Sequence, residues 1–260
     1  MQSIAFRPPS LELPSGDLES DSCQQLGRRL EAVFREAAPS AMLPVITWLK
    51  GSPVRHQDLG LFQLDDLIHE LSEYLAPAAT DVFVDGRSLA EYRLMEAFLP
   101  IRSVAGFSTF CDTLMQLGCR VCGREVGFRR TGISTVADRQ GQQVAYPSPE
   151  YIRPSLMHLH DYCMPRVPET PGIAAVALMV GLTRLHPFMD GNGRVARILF
   201  NAILNEGKEQ PVYLPLYELA ALSRCGFLLR LRQAQYHGEW QPLLTYLVHV
   251  AGTLWSEKVG

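Results

Sequence analysis

Apolar residues recur at helical spacing along most of the chain. Over residues 21–38 they fall at Leu26, Leu30, Val33 and Phe34, and Pro39 closes the stretch, so the spacing predicts a helix there. Residues 59–75 repeat the pattern, with Leu61, Leu64, Leu67, Ile68, Leu71 and Leu75 on one face and Pro77 as the stop. Two further helices are predicted over 88–99 and 107–117, separated by Pro100 and Gly106. The period then changes. Between Gly127 and Tyr146, β-branched and polar residues alternate around a polar, glycine-containing centre, which predicts a β-hairpin. Ile152, Leu156, Leu159 and Tyr162 mark an amphipathic helix. Residues 173–185 are almost wholly apolar and too short to cross a bilayer, so they predict a buried core helix. Helices to about Asn205, over 216–234 and over 240–259 complete a chain that is mainly α with one hairpin.

The densest chemistry sits between the core helix and the next one. Residues 186–197 read HPFMDGNGRVAR. Gly191, Asn192 and Gly193 allow the backbone to approach an anion, and Val195, Ile198 and Leu199 follow at helical spacing. A helix N-terminus therefore faces whatever binds, and its N–H groups and positive dipole end favour phosphate. Arg194 and Arg197 lie on one face of that helix and add fixed charge. These residues predict a polyanionic ligand.

The same twelve residues resemble the signature of Fic (Fido) domains, HxFx(D/E)GNGRxxR, and match it at every specified position. The order of elements is similar too. GFRRTGISTV followed by YPSPEYIRPSLM resembles the flap hairpin and its helix, and AQYHGEWQPLLTYLVHV resembles the helix that closes the fold. The resemblance covers roughly 88–250. It implies a Fic-type helical bundle with a β-hairpin flap at about 127–146, occupying 81–260, and an N-terminal arm and helical extension over 1–80.

The activity implied is transfer of AMP from ATP to a Ser, Thr or Tyr hydroxyl of a target protein. His186 is then the base that takes the hydroxyl proton, since imidazole exchanges protons near neutral pH. Asp190 offers a hard oxygen for Mg²⁺, with helix capping as its structural alternative. Gly191, Asn192 and Gly193 hold the α- and β-phosphates, Arg194 meets charge on the leaving diphosphate, and Arg197 meets the γ-phosphate. Gly193 bears on the reaction: the related Doc toxins carry Lys there and act as kinases, so glycine favours AMP over phosphate transfer. UMP or phosphocholine transfer, and a non-catalytic nucleotide- or protein-binding module, stand as alternatives. The acceptor segment is expected along the hairpin edge near Ile133 to Val136.

Many relatives also carry an inhibitory helix, (S/T)xxxE(G/N), whose Glu pairs with the second signature arginine. Two degenerate matches exist. Asp85–Gly86 lacks the preceding Ser or Thr, and Thr253 to Glu257 is followed by Lys258. Without a match, the restraint expected is a separate small inhibitory protein, or none.

Charge changes little in this picture. With 24 Lys and Arg against 27 Asp and Glu, nothing points to a nucleic-acid or membrane-coating role. The N-terminal residues lack the basic start and apolar centre of a signal peptide, so a cytoplasmic protein is expected. The six cysteines have no disulfide-framework spacing, and Cys119–Cys122 is a CxxC without a second pair to complete a zinc site.

Overall fold

The structure, a computed structural model, describes residues 16–37, 87–98, 106–135, 145–222 and 226–256. Its helices are α1 (Asp21–Glu36), α2 (Arg87–Glu96), α3 (Phe107–Cys122), α4 (Ile152–Arg166), α5 (Pro171–Leu185), α6 (Asn192–Leu204), α7 (Leu216–Leu222), α8 (Gly226–His237) and α9 (Gln241–Ser256).

Helix α5 is the axis of the bundle. All of it except Pro171 and Thr183 is buried, because α6, α4, α1 and α8 pack around it. A helix apolar on every side needs that arrangement. Helix α1 begins at Ser20, whose hydroxyl accepts from the Cys23 N–H at 3.3 Å. It buries Cys23, Leu30 and Phe34 against α5 and α9, about 1.5–3 kcal/mol for each large side chain. Backbones come close where α1 crosses α5. A Cβ on Gly172 would lie 2.3 Å from the Gly27 carbonyl oxygen, and Glu31 Oε1 accepts the Gly172 N–H at 2.9 Å. The carboxylate thereby caps the positive end of α5. So α1, which falls within residues 1–80, shares the core with the signature helices.

Helix α6 is fixed on its far side by two asparagines one turn apart. Asn201 exchanges hydrogen bonds with Leu214, accepting its N–H at 2.7 Å and donating to its carbonyl at 3.3 Å. Asn205 does the same with Val212, at 2.7 Å each way. Their side-chain amides act as the strand partner that residues 212–214 otherwise lack. Tyr213 is thereby held buried beside α2, which lies across α6.

Several boundaries differ from those the pattern predicts. Helix α3 runs five residues past Leu117 to Cys122 and stops where Gly123 adopts a left-handed conformation (φ 65°). The continuous helix predicted over 216–234 is two, α7 and α8, with Gly226 opening the second. The predicted helix over 59–75 lies outside the described residues. Of the hairpin, the described residues contain one antiparallel bridge, Ser134 with Ala145, and a hydrogen bond from the Tyr146 N–H to the Ile133 carbonyl at 3.0 Å. Residues 136–144 lie outside the description. Among the described residues, no helix is long and apolar enough to cross a membrane.

Candidate active site

The signature forms the loop from the C-terminus of α5 into α6. His186 caps α5 with its own backbone in the left-handed region (φ 52°, ψ 59°), the one positive-φ position among the described residues that is not glycine. Such a conformation costs a residue with a Cβ about 1–2 kcal/mol. Its N–H donates to the Leu182 carbonyl at 2.9 Å. The turn swings the ring back so that Nδ1 lies 3.1 Å from the Thr183 carbonyl oxygen. A carbonyl can only accept, so Nδ1 carries the proton and Nε2 keeps its lone pair. Tyr146, from beyond the hairpin, stacks on the imidazole with centroids 3.9 Å apart and planes 22° apart. Burial pushes the His186 pKa below its ordinary value; the Thr183 contact opposes this, the Arg129 charge adds to it, and Asp190 opposes it. Burial thus favours the neutral imidazole.

Arg129 is buried next to this loop. Its guanidinium donates to the carbonyls of His186 at 2.7 Å, Thr131 at 3.0 Å and Leu185 at 3.3 Å, and to that of Pro147. Its backbone N–H donates to Pro187 at 2.8 Å.

Past His186, the loop is pinned from within. Asn192 accepts the Phe188 N–H and donates to the Phe188 carbonyl, both at 2.8 Å, while the Phe188 ring is buried against Phe128. The Asn192 side chain thus closes the loop and does not point out to a ligand. Gly191 is left-handed (φ 83°), and a Cβ there would sit 3.0 Å from the Val121 side chain and 3.1 Å from the Cys122 sulfur; both constraints call for glycine. Its N–H donates to Asp190 Oδ1 at 2.6 Å. No side chain caps α6, which leaves its first-turn N–H groups for an outside acceptor.

The two arginines have different settings. Arg194 is tied down at both ends, to Asp190 Oδ2 at 3.1 Å and to the Val121 carbonyl of α3 at 2.8 Å. Arg197 turns inward. Its Nε donates to Glu91 Oε2 at 3.0 Å, and its Nη2 donates to Glu91 Oε1. The Tyr213 hydroxyl donates to the same carboxylate at 2.6 Å. Only 15% of the Arg197 side chain and 3% of that of Glu91 reach solvent. A Cβ on Gly193 would lie 3.3 Å from Arg197 Nη1, so a side chain there crowds the guanidinium. Ala90, Glu91, Leu94, Val121, Asp190 and Arg194 line a cleft of about 440 Å³.

The Fic/DOC family pattern matches residues 113–204, from within α3 to the end of α6. Residues 113–204 thus correspond to a Fic domain. Over 190 residues, 68% of the chain, it is 29% identical to the protein adenylyltransferase Fic of Nematostella vectensis, covering 42% of that relative. Over 138 residues, 52% of the chain, it is 32% identical to protein adenylyltransferase fic-1 of Caenorhabditis elegans, covering 26% of it. The chain thus spans less than half the length of these curated relatives. A Fic family protein from Desulfovibrio desulfuricans shares the fold at a TM-score of 0.55 and 18% identity, over 96% of this chain and 75% of that one. Fic-1 of C. elegans does so at 0.52 and 20%, over 89% and 70%.

Within the Fic domain, His186, Asp190, Gly191, Asn192, Gly193, Arg194 and Arg197 all fall on the one loop and helix end. Asp85 and Glu257 lie outside the described residues. The acid observed on Arg197 is Glu91, which escapes the inhibitory pattern because Arg87 stands four residues before it and Tyr92 follows. The S-x-x-E spacing of Ser88 to Glu91 reads as a helix start instead. Arg129, Tyr146 and Thr183 likewise escape, since each acts through a contact that no local spacing encodes. The CxxC thiols are free and half-buried. Cys119 Sγ accepts the Val126 N–H at 3.3 Å, and Cys122 Sγ lies 3.7 Å from the Asp190 carbonyl oxygen.

The donor set fits Mg²⁺ in one specific way. Asp190 presents an exposed carboxylate beside an uncapped helix N-terminus. Mg²⁺ commonly takes one or two protein carboxylates and fills its shell with phosphate oxygens and water.

Proposed function

We propose that the protein is a Mg²⁺-dependent protein adenylyltransferase that moves AMP from ATP to a Ser, Thr or Tyr hydroxyl of a target protein. One observation carries the reading. His186 is held with Nδ1 against the Thr183 carbonyl, which leaves Nε2 as the proton-accepting nitrogen of the neutral ring, in the loop that leads into an uncapped helix N-terminus. A base whose tautomer and protonation are fixed beforehand, next to an anion-binding helix end, suits proton removal during attack on phosphorus.

In the reaction, the target's oxygen attacks the α-phosphorus and its proton passes to His186 Nε2. The bond from the α-phosphorus to the oxygen bridging to the β-phosphate breaks, and diphosphate leaves. The first-turn N–H groups of α6, with Gly191 and Gly193 allowing close approach, hold the phosphates, and Asn192 keeps the loop in shape. Arg194 takes up charge on the departing diphosphate, and Arg197 meets the terminal phosphate. Asp190 would hold Mg²⁺, which supplies neutralising charge to the phosphates. Glycine at 193 supports AMP transfer over phosphate transfer, and the names of the relatives point to the same group.

The Glu91–Arg197 pair supports reading this state as restrained. Glu91 occupies the Arg197 donors that the terminal phosphate needs, and carboxylate and phosphate compete for the same guanidinium fork. In this reading Glu91, and not either degenerate match at Asp85 or Glu257, is the restraining acid.

Parallel incubations with ATP labelled at the α- or at the γ-phosphate test the transferred group. Protein-bound label from α-labelled ATP alone is the expected result. Label from γ-labelled ATP would overturn AMP transfer, and label from UTP or CDP-choline but not ATP would select UMP or phosphocholine instead.

A further inference from the structure

The guanidinium of Arg129 is buried with its nearest partners all backbone carbonyls. Two of them, Leu185 and His186, end α5; the other two, Thr131 and Pro147, lie on the two chain segments joined by the Ser134–Ala145 bridge. A guanidinium is planar and always charged, and its fork of donors has a fixed shape, so these four carbonyls cannot shift independently while it is bound. The last carbonyls of α5 are the negative end of a helix dipole, and with the charge of Glu150 they compensate this buried cation.

What this bracing holds is the strained residue. His186 adopts left-handed geometry with a Cβ, and such a conformation persists only where its surroundings over-determine it. Arg129 supplies two of the constraints, from its side chain to the His186 carbonyl and from its backbone to the Pro187 carbonyl. A third constraint reaches the ring from the same region. Tyr146 stacks on the imidazole, and its backbone N–H is bonded to Ile133 on the opposite segment of the hairpin base.

We propose that Arg129 is a positioning residue that locks the His186 backbone in its left-handed conformation and couples the orientation of that ring, through Thr131, Pro147 and Tyr146, to the position of the hairpin base. This rests on the proposed role of His186 only for its kinetic consequence; the geometric consequence stands alone.

Two readouts on Arg129→Gln, with melting and circular dichroism as the check on folding, test it. The first needs no activity. With ¹⁵N- and ¹³C-labelled histidine, the His186 ring signals, assigned by their loss in His186→Ala, report tautomer and the ring current of Tyr146. Wild type is expected to show the Nδ1–H form with shifts displaced by stacking; Arg129→Gln is expected to lose both the tautomer preference and the displacement. The second is transfer of label from α-labelled ATP, where kcat falls by about tenfold or more while KM for ATP stays within about twofold. A folded Arg129→Gln protein whose His186 signals superimpose on wild type would overturn the proposal, as would a raised KM for ATP with kcat unchanged. Should wild type transfer nothing, the adenylyltransferase reading fails and the ring signals alone decide the role of Arg129. Should Arg129→Gln not fold, Arg129→Lys, which keeps the charge but not the planar fork, is measured in the same two ways with the same expectations.

Discussion

Replacing Glu91 with Gln should tighten ATP binding while loosening the protein. In the observed state the Arg197 fork is closed on a carboxylate that is also bonded to Tyr213, and both charged side chains are largely out of water. At a charge separation of about 4 Å and an effective dielectric near 20, their attraction is roughly 4 kcal/mol. A terminal phosphate has to break that pair before taking its place, so the pair's net worth is subtracted from the binding energy of ATP. Rehydration of the released carboxylate offsets part of it, leaving about 1.4–2.7 kcal/mol, which is a 10- to 100-fold lower Kd for the Gln variant. The same change removes the ionic partner of a buried guanidinium. Gln keeps the shape and one acceptor, so a loss of ~2 kcal/mol is expected, or about 4–8 °C in Tm for a chain of this size. Titration calorimetry with Mg²⁺-ATP alongside thermal melts gives both numbers. A folded Glu91→Gln protein that binds ATP no better than wild type would refute the competition argument and make Glu91 a support for Arg197.

The remaining predictions concern the base, the loop and the core. Because burial lowers the His186 pKa below its ordinary 6.5, its proton-accepting form persists to lower pH. The profile of kcat/KM against pH should therefore be flat through neutrality and fall only below 6.5; an acid limb at or above that value would contradict the burial argument. Asn192→Ala orphans the buried Phe188 N–H and carbonyl. It should cost about 2–4 kcal/mol and lower Tm by ~5–15 °C; Asn192→Asp, which sets a buried carboxylate against the Phe188 carbonyl, should cost no less. Gly172→Ala drives a Cβ against the Gly27 carbonyl with no side-chain rotation to relieve it. Chemical denaturation should show at least about 3 kcal/mol lost, and a neutral effect would mean that α1 is not docked on α5.

Much of this was legible because the signature is local. The spacing of Val195, Ile198 and Leu199 fixed a helix start, and the glycines before it required the turn that the structure contains. The apolar run of 173–185 likewise pointed to a core helix, since no exposed face was left for it. What escaped depends on contacts between distant segments. Glu91 and Arg197 are 106 residues apart and Arg129 and His186 are 57 apart, and neither pairing follows from local periodicity. The extra turn and a half of α3 escaped for another reason: Gly118 and Cys119 weaken the helical signal, and burial of Gly118 against the Phe188 ring overrides it. Helix α1 read as an appendage because its burial depends on the gap that Gly27 and Gly172 leave between two backbones.

In the proposed reaction His186 is the base for AMP transfer and Glu91 restrains it. The most direct test is incorporation of label from α-labelled ATP with Mg²⁺ into protein, measured for wild type, Glu91→Gln and Glu91→Gln combined with His186→Ala. Weak labelling by wild type, stronger labelling by Glu91→Gln and loss of about 100-fold or more on adding His186→Ala is the predicted result. Labelling that persists without His186 would contradict the account.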